Sequence, residues 1–265
     1  MTLPIVLTVS SYDPTGGSGV NADLKAFQNL GVYGMSAITS LTAQNSSGIK
    51  DVLEIPDDFL EEQLKSIFDD TIPFAMKSGM ITSIPMIEML TKYVKQYHIP
   101  FVVDPYIFTR DGQRIISEET TSVLKQQLLH HAAVVTPNIN EAKSLTGIDI
   151  ETEKDIETAA KIFLREIGVK AVIINDSNMT GEACDYLYTK TTSLKLTEAI
   201  VQTKNKRGSG STFSAVITAE IAKGNSLEDA FRKAKRYVTA GLKNSLDIGK
   251  KNGPLNHFID ITSFV

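Results

Sequence analysis

The 265-residue chain contains no tryptophan and a single cysteine, Cys184. One cysteine excludes an intrachain disulfide and a multi-cysteine zinc site, and it fits a reducing compartment. Histidine is also scarce: there are four, and no two stand at a convincing metal-ligand spacing. Basic charge is not in excess. The formal net charge of -4 provides no overall field for nucleic acid or an anionic membrane. No apolar run approaches the ~20 residues that cross a bilayer. The opening "MTLPIVLTVSSYD" has neither a basic leader nor a small-residue cleavage site, so it reads as the first strand of a cytoplasmic protein.

What remains is an ordinary globular composition, 42% hydrophobic and 22% charged, long enough to bury a substantial core. Apolar β-rich runs alternate with helical patterns along most of it. Val6 to Ser10 reads as a strand, followed by the loop "DPTGGSG" and a helix over roughly Val20 to Asn29 that Gly31 can close. "MSAITSLTAQN", "FAMKSGM", "PFVVDP", "AAVVTPN" and "VKAVIIN" read as further strands. Helices are expected at "DDFLEEQLKSIFDD", Met86 to Tyr97 and Ser117 to His131, with two more before Val169. "CDYLYTK" and "SLKLTEAIVQTK" alternate enough for antiparallel strands, and helices at Ser211 to Lys223 and Ser226 to about Leu246 close the chain. This succession predicts an α/β fold with a mostly parallel central sheet flanked by helices. No linker or repeat divides it, so residues 1–265 read as a single domain.

In such sheets ligands sit beyond the carboxyl ends of strands, which directs attention to the loops. "GGSGVNAD" and "RGSGST" lack both the dinucleotide fingerprint and the lysine of a Walker loop, so an oxidoreductase and a Walker-type NTPase are poorly supported. The second loop runs into a helix with a stripe of Phe213, Val216, Ile217 and Ile221. That placement sets Gly208, Ser209 and Gly210 at a helix N-terminus, where open amides and the dipole favour an anion. Asp104 ends an apolar strand and Glu141 lies three residues beyond Asn138. Magnesium is commonly held by one or two carboxylates with phosphate oxygens and water, although a turn cap and a first-turn glutamate explain the same two residues.

Taken in order, these loops resemble the hydroxymethylpyrimidine/phosphomethylpyrimidine kinases, a ribokinase-like family related to pyridoxal kinases. The resemblance rests on "DPTGGSGVNADLKAFQNLGVYGMSAITSLTAQN", "KSGM", "VVDP", "VVTPNINEA", "GSGSTFSAVITAEIAKG" and "IGKKNGPLNHF". It implies a ribokinase-like three-layer sandwich that phosphorylates 4-amino-5-hydroxymethyl-2-methylpyrimidine or its monophosphate for thiamine biosynthesis, using ATP and Mg2+. It further implies that Asp23 and Gln44 hydrogen-bond the aminopyrimidine and that Met80 packs on the ring. Ser11 and Ser18 stand at substrate-site positions where glycine and alanine are usual. Asp104 and Glu141 are implied near the metal, Asn138 near the phosphate end of ATP, and Gly208 to Ser211 as the anion hole. A homodimer completes what it implies, and the charge balance above adds the expectation of no nucleic-acid or membrane partner.

The chain departs from the family at the reacting end. "HGTGC" becomes "RGSGS", so Arg207 replaces histidine and Ser211 replaces the cysteine held to activate the substrate hydroxyl. A thiol ionises near neutrality and a serine hydroxyl does not; loss of a general base typically costs about 10²–10⁴ in rate. "VKGGH" becomes "INDSN", with Asn175 at the position of a phosphate-binding lysine, and "DPVM" becomes "DPYI". Lys204, Lys206 and Arg207 cluster directly before the anion hole, where Arg207 is placed to neutralise phosphate charge, although a solvated basic turn explains the same residues. Three readings stay open: the pyrimidine kinase with reduced activity, a pyridoxine or pyridoxal kinase, and a catalytically silent relative that binds a pyrimidine or B6 compound.

Overall fold

A computed structural model describes residues 3–109, 112–177 and 181–262. Arg110 and Asp111 of "DPYIFTRDG" and Asn178 of "INDSN" lie outside the described residues. The chain forms two compact units, Met1–Met80 with Val201–Val265, and Ile81–Ile200. In chain order the first contains β1 (Ile5–Tyr12), α1 (Gly19–Asn29), β2 (Tyr33–Asn45), β3 (Gly48–Glu54), α2 (Asp57–Phe68) and β4 (Ala75–Ser78). The second contains α3 (Ile84–Tyr97), β5 (Phe101–Val103), α4 (Glu118–Val123), β6 (Val134–Val135), α5 (Ile139–Thr146), α6 (Glu153–Ile162), β7 (Ala171–Ser177), β8 (Ala183–Thr189) and β9 (Ser193–Glu198). The chain then re-enters the first unit with α7 (Ser209–Ala222) and α8 (Leu227–Lys243).

In the first unit the strands lie in the order β3-β2-β1-β4, with β1 parallel to both β2 and β4. Val6, Leu7 and Val9 are fully buried, the continuous apolar run expected of a parallel strand covered on both faces. β3 is an addition to the predicted elements. Its residues are mostly exposed and do not alternate, so its order comes from antiparallel pairing with β2 and from Gly48, whose φ of +131° opens the turn.

Helix α7 also differs from expectation. Its residues from Ser211 through Glu220 are all buried, so it is a core helix rather than a one-sided one. Small residues at Ser214, Ala215, Thr218 and Ala219 let neighbours approach it closely. Phe213 meets Phe231 of α8 edge-on at 6.2 Å. Glu220 is tolerated because Lys223, Lys233 and Asn225 all reach its carboxylate.

In the second unit β5, β6 and β7 run parallel, and β8 and β9 continue antiparallel. The expected helix from Ser117 to His131 changes pitch. After α4 it widens into a π turn at Leu124–Leu128 and tightens into a 3₁₀ turn at Leu129–His131. Sequence-adjacent Leu128 and Leu129 are thereby both fully buried. Helix α3 is started by Ser83, whose side chain accepts from Met86 N, and is closed by His98 in the left-handed region (φ 52°). A non-glycine residue there is strained by roughly 1–2 kcal/mol. His98→Gly is therefore expected to raise unfolding stability by up to about 1 kcal/mol, read as a higher denaturant midpoint at constant m; a lower midpoint would contradict the strain.

Candidate active site

In the first unit the site begins with Asp13, at the end of β1. Its buried carboxylate gathers five donors. Thr15 N (2.9 Å) and Thr15 Oγ1 (2.8 Å) bond one oxygen; Gly17 N (3.2 Å), Ser18 Oγ (2.9 Å) and Arg207 Nε (3.1 Å) bond the other. Burial pushes this carboxyl up, but the Thr15 hydroxyl and amide, then Arg207 and Ser18, together hold it below the usual range. The "DPTGGSG" loop is thus folded around an anion of its own. Ser18, expected at the substrate, spends its hydroxyl on Asp13 while serving as N-cap position of α1.

Asp23 lies one turn into α1 and is completely buried. Lys77 Nζ, also completely buried, stands 2.8 Å from Oδ1, and Thr8 Oγ1 donates to Oδ2 at 2.6 Å. Burial pushes the Asp23 carboxyl up, with Lys77 and Thr8 offsetting part of the effect. The same ammonium donates to the Ser211 carbonyl at 3.3 Å, tying Asp23 to the start of α7. Met80 is buried after β4, with its amide on Ser10 Oγ and its carbonyl on Thr39 Oγ1. Gly79 is required there, since a side-chain carbon would strike Ser10 Oγ. Gln44 is half-buried at a bulge in the β2–β3 ladder, a device that re-aims a side chain. Ser11 is buried, with its carbonyl against Gly19.

The loop before α7 closes this cluster. Gly208 caps the helix at φ +79° and lies on Gly17, where any side-chain carbon would collide with the Gly17 carbonyl. Ser209 N is spent on Lys206 O at 3.3 Å, while the Gly210 and Ser211 amides meet no protein acceptor among the described residues. The space above Gly210 is open. Two open amides at the start of a 14-residue helix favour an anion there. Ser211 Oγ has no protein partner among the described residues. Arg207, expected at the nucleotide, has Nε on Asp13 and Nη1 on the Asn45 carbonyl at 2.6 Å. Behind the loop, the "NGPLNH" segment pairs with Arg207 through Gly253 O and Leu255 N, and His257 Nε2 sits 2.9 Å from Thr212 Oγ1.

The second unit holds its own cluster, beyond the carboxyl ends of β5, β6 and β7. Asn138 caps α5 and Glu141 returns the bond, in a reciprocal box. Tyr106, in the left-handed region at φ 44°, turns the chain after Asp104 so that Ile107 N reaches Glu141 Oε1 at 3.1 Å. Burial and the neighbouring Asp104 carboxylate push Glu141 up to about 8, against the amides of Asn138, Ile107 and Phe108. Asn175 lies beside Asn138, donating its side-chain amide to the Thr136 carbonyl at 3.1 Å. Phe108 is turned under Arg114, 4.9 Å from its guanidinium carbon. Two buried, mutually repelling carboxylates of hard oxygen are a donor set that a divalent cation relieves. Among the described residues no group of three or more His, Cys, Asp or Glu could hold a metal.

Lys77, Thr8, Asp13 and His257 were not singled out by sequence reasoning. The signal for Lys77 was a lysine inside an otherwise apolar strand run, "FAMKSGM", where a buried charge requires a partner.

Comparison with known proteins adds the following. The family model described as phosphomethylpyrimidine kinase matches residues 13–256. A hydroxymethylpyrimidine/phosphomethylpyrimidine kinase of Staphylococcus aureus (strain MSSA476) is 43% identical over 257 residues, covering 96% of this chain and 93% of the relative. The bifunctional thiamine biosynthesis protein ThiED of Geobacter sulfurreducens is 35% identical over 256 residues, 96% of this chain and 52% of its own. Among solved structures, pyridoxal kinase from Staphylococcus aureus in complex with AMP-PCP and pyridoxal superposes with a TM-score of 0.86 at 32% identity, covering 97% of this chain and 94% of that one. The ribokinase-like α/β architecture expected from the loop order is the one observed.

Two predictions follow from the buried pairs. Lys77→Met leaves the Asp23 carboxylate unpaired and is expected to destabilise by about 3–5 kcal/mol, whereas Asp23→Asn combined with Lys77→Met recovers much of that loss; equal denaturation midpoints for single and double variants would contradict the pairing. His257 is pushed down to about 4 by burial and by Lys25, from an ordinary 6.5. The unfolded chain therefore binds the proton more readily, and the contribution present above pH 6.5 is lost as pH falls toward about 4. His257→Gln should flatten that part of the stability profile; an unchanged slope would assign it elsewhere.

Proposed function

The chain belongs to the phosphomethylpyrimidine kinase family, and on that footing we propose that it transfers the terminal phosphoryl group of ATP to 4-amino-5-hydroxymethyl-2-methylpyrimidine, its monophosphate, or both, in thiamine biosynthesis. The observation that carries this reading is the pair of open Gly210 and Ser211 amides at the start of α7, beside a Ser211 hydroxyl that has no protein partner among the described residues. Phosphoryl transfer asks little covalent chemistry of a protein; positioning and charge neutralisation dominate. Those amides would stabilise the negative charge of the transferring group, and the Ser211 hydroxyl would accept a hydrogen bond from the substrate alcohol and orient it.

Asp23 and Gln44 are assigned to the ring nitrogen and exocyclic amine, and Met80 to the ring face. Lys77 and Thr8 each occupy one lone pair of Asp23, which leaves acceptor capacity on both oxygens. Asn138 and Asn175 are assigned to the phosphate end of the nucleotide. Asp104 and Glu141 fit Mg2+, which when bound supplies neutralisation of phosphate charge. Residues 1–265 are taken as one kinase domain.

A pyridoxal kinase activity is the second reading, favoured by the likeness to the pyridoxal-bound neighbour. A purified-protein assay with ATP, Mg2+ and each of the pyrimidine, its monophosphate and pyridoxal separates the two. Turnover is expected to be highest with a pyrimidine, and no turnover with any of the three at high enzyme concentration would sink the proposal. Ser211→Cys restores an ionisable group and is expected to raise kcat by about 10²-fold or more, with little change in KM.

A further inference from the structure

Arg207 is bonded through both its side chain and its backbone. Arg207 Nε is 3.1 Å from Asp13 Oδ2, and its Nη1 donates to the Asn45 carbonyl at 2.6 Å. Its own amide donates to Gly253 O at 3.0 Å, and its carbonyl accepts from Leu255 N at 3.3 Å. Only 11% of the side chain is exposed. Three segments distant in sequence therefore meet on one residue: the loop after β1, the turn after β2 and the closing "NGPLNH" segment. The packing around it is close: a side-chain carbon on Gly17 would press on Arg207 Cδ (3.1 Å) and Pro254 Cβ (3.3 Å), and one on Gly208 would collide with the Gly17 carbonyl.

An arginine that bound the transferring phosphate would present its fork to the anion. This one presents its fork to Asp13 and Asn45, and its charge is matched by a buried carboxylate. We propose that Arg207 is a positioning residue for phosphoryl transfer: with Asp13 it fixes the start of α7, and so the Gly210 and Ser211 amides, at a set distance from the loop that begins α1. The proposal rests on the kinase reading for its consequence in rate, but its mechanical content is independent of it. Guanidinium suits the task because it is planar and reaches two acceptors at once; the ammonium of lysine reaches Asp13 as a single point. Misplacement of reacting groups by about 1 Å costs on the order of 10²-fold in rate, which is the scale expected of a lost clamp.

The test is a double-mutant cycle over Asp13→Asn and Arg207→Ala, with Arg207→Lys as the conservative variant. Each is assayed for kcat and KM, with nucleotide-binding stoichiometry by calorimetry to correct for the folded fraction, and for amide exchange in residues 13–18 and 205–211. Asp13→Asn and Arg207→Ala are each expected to lower kcat by about 10- to 100-fold, with KM for ATP unchanged. The double variant should be no worse than either single one, because both break the same link. Arg207→Lys should recover part of kcat. Exchange should quicken in both loops of Arg207→Ala while the α8 core stays protected. A raised KM for ATP in Arg207→Ala with both loops still protected would make Arg207 a phosphate ligand and overturn the proposal. Additive losses in the double variant would overturn it as well. If the wild-type protein turns over none of the substrates, the kinase reading falls, and the exchange arm still decides the clamp.

Discussion

A buried carboxylate can be kept only if its lone pairs are filled, and Asp13 fills its own with five donors from two places in the chain, the loop that follows it and Arg207. Thr15, Gly17 and Ser18 wrap the loop around it. Arg207 then adds the segment that begins α7. Without that anion, the glycine-rich stretch after β1 would have many conformations and no reason to prefer one. With it, Gly17 and Gly208 come into backbone contact, and the N-terminus of α7 acquires a defined position. The open amides of Gly210 and Ser211 inherit that position.

A second buried pair acts on the same helix from below. Lys77 joins Asp23 to the Ser211 carbonyl, so a residue proposed to read substrate and a residue proposed to orient its alcohol share one ammonium. His257 supports the next residue through Thr212. The helix is held through main-chain and side-chain contacts on its own first turn, while the Ser211 hydroxyl has no protein partner among the described residues. That division suits a reaction in which placement and charge neutralisation dominate. The second unit solves a different problem. Glu141 completes the capping box that Asn138 begins, held by backbone amides and set beside Asp104, an arrangement that a cation would relieve.

Most of the fold was legible because each local preference agrees with its neighbours. Apolar runs such as "PFVVDP" and capped helices begun by Ser83, Thr152 and Ser226 are written in a few adjacent residues. β3 was not legible, because a mostly exposed strand has no periodicity of its own and depends on β2. The burial of α7 on every side was hidden by its small polar residues, which look solvent-facing until neighbours cover them. At the site, the glycines and carboxylates announced themselves by type and by their place after strands. What could not be read were the pairings: Lys77 with Asp23 spans 54 positions and Arg207 with Asp13 spans 194. For Arg207 a lone sequence shows a cation beside an anion hole, and the carboxylate that engages it is visible only in the fold.

The start of α7 is the proposed seat of the transferring phosphoryl group. A crystal structure with ADP, Mg2+, aluminium fluoride and hydroxymethylpyrimidine tests it most directly. The fluoride mimic of the transferring group is expected within about 3 Å of Gly210 N and Ser211 N, with Arg207 still on Asp13. A mimic bound elsewhere, with those amides left to water, would contradict it.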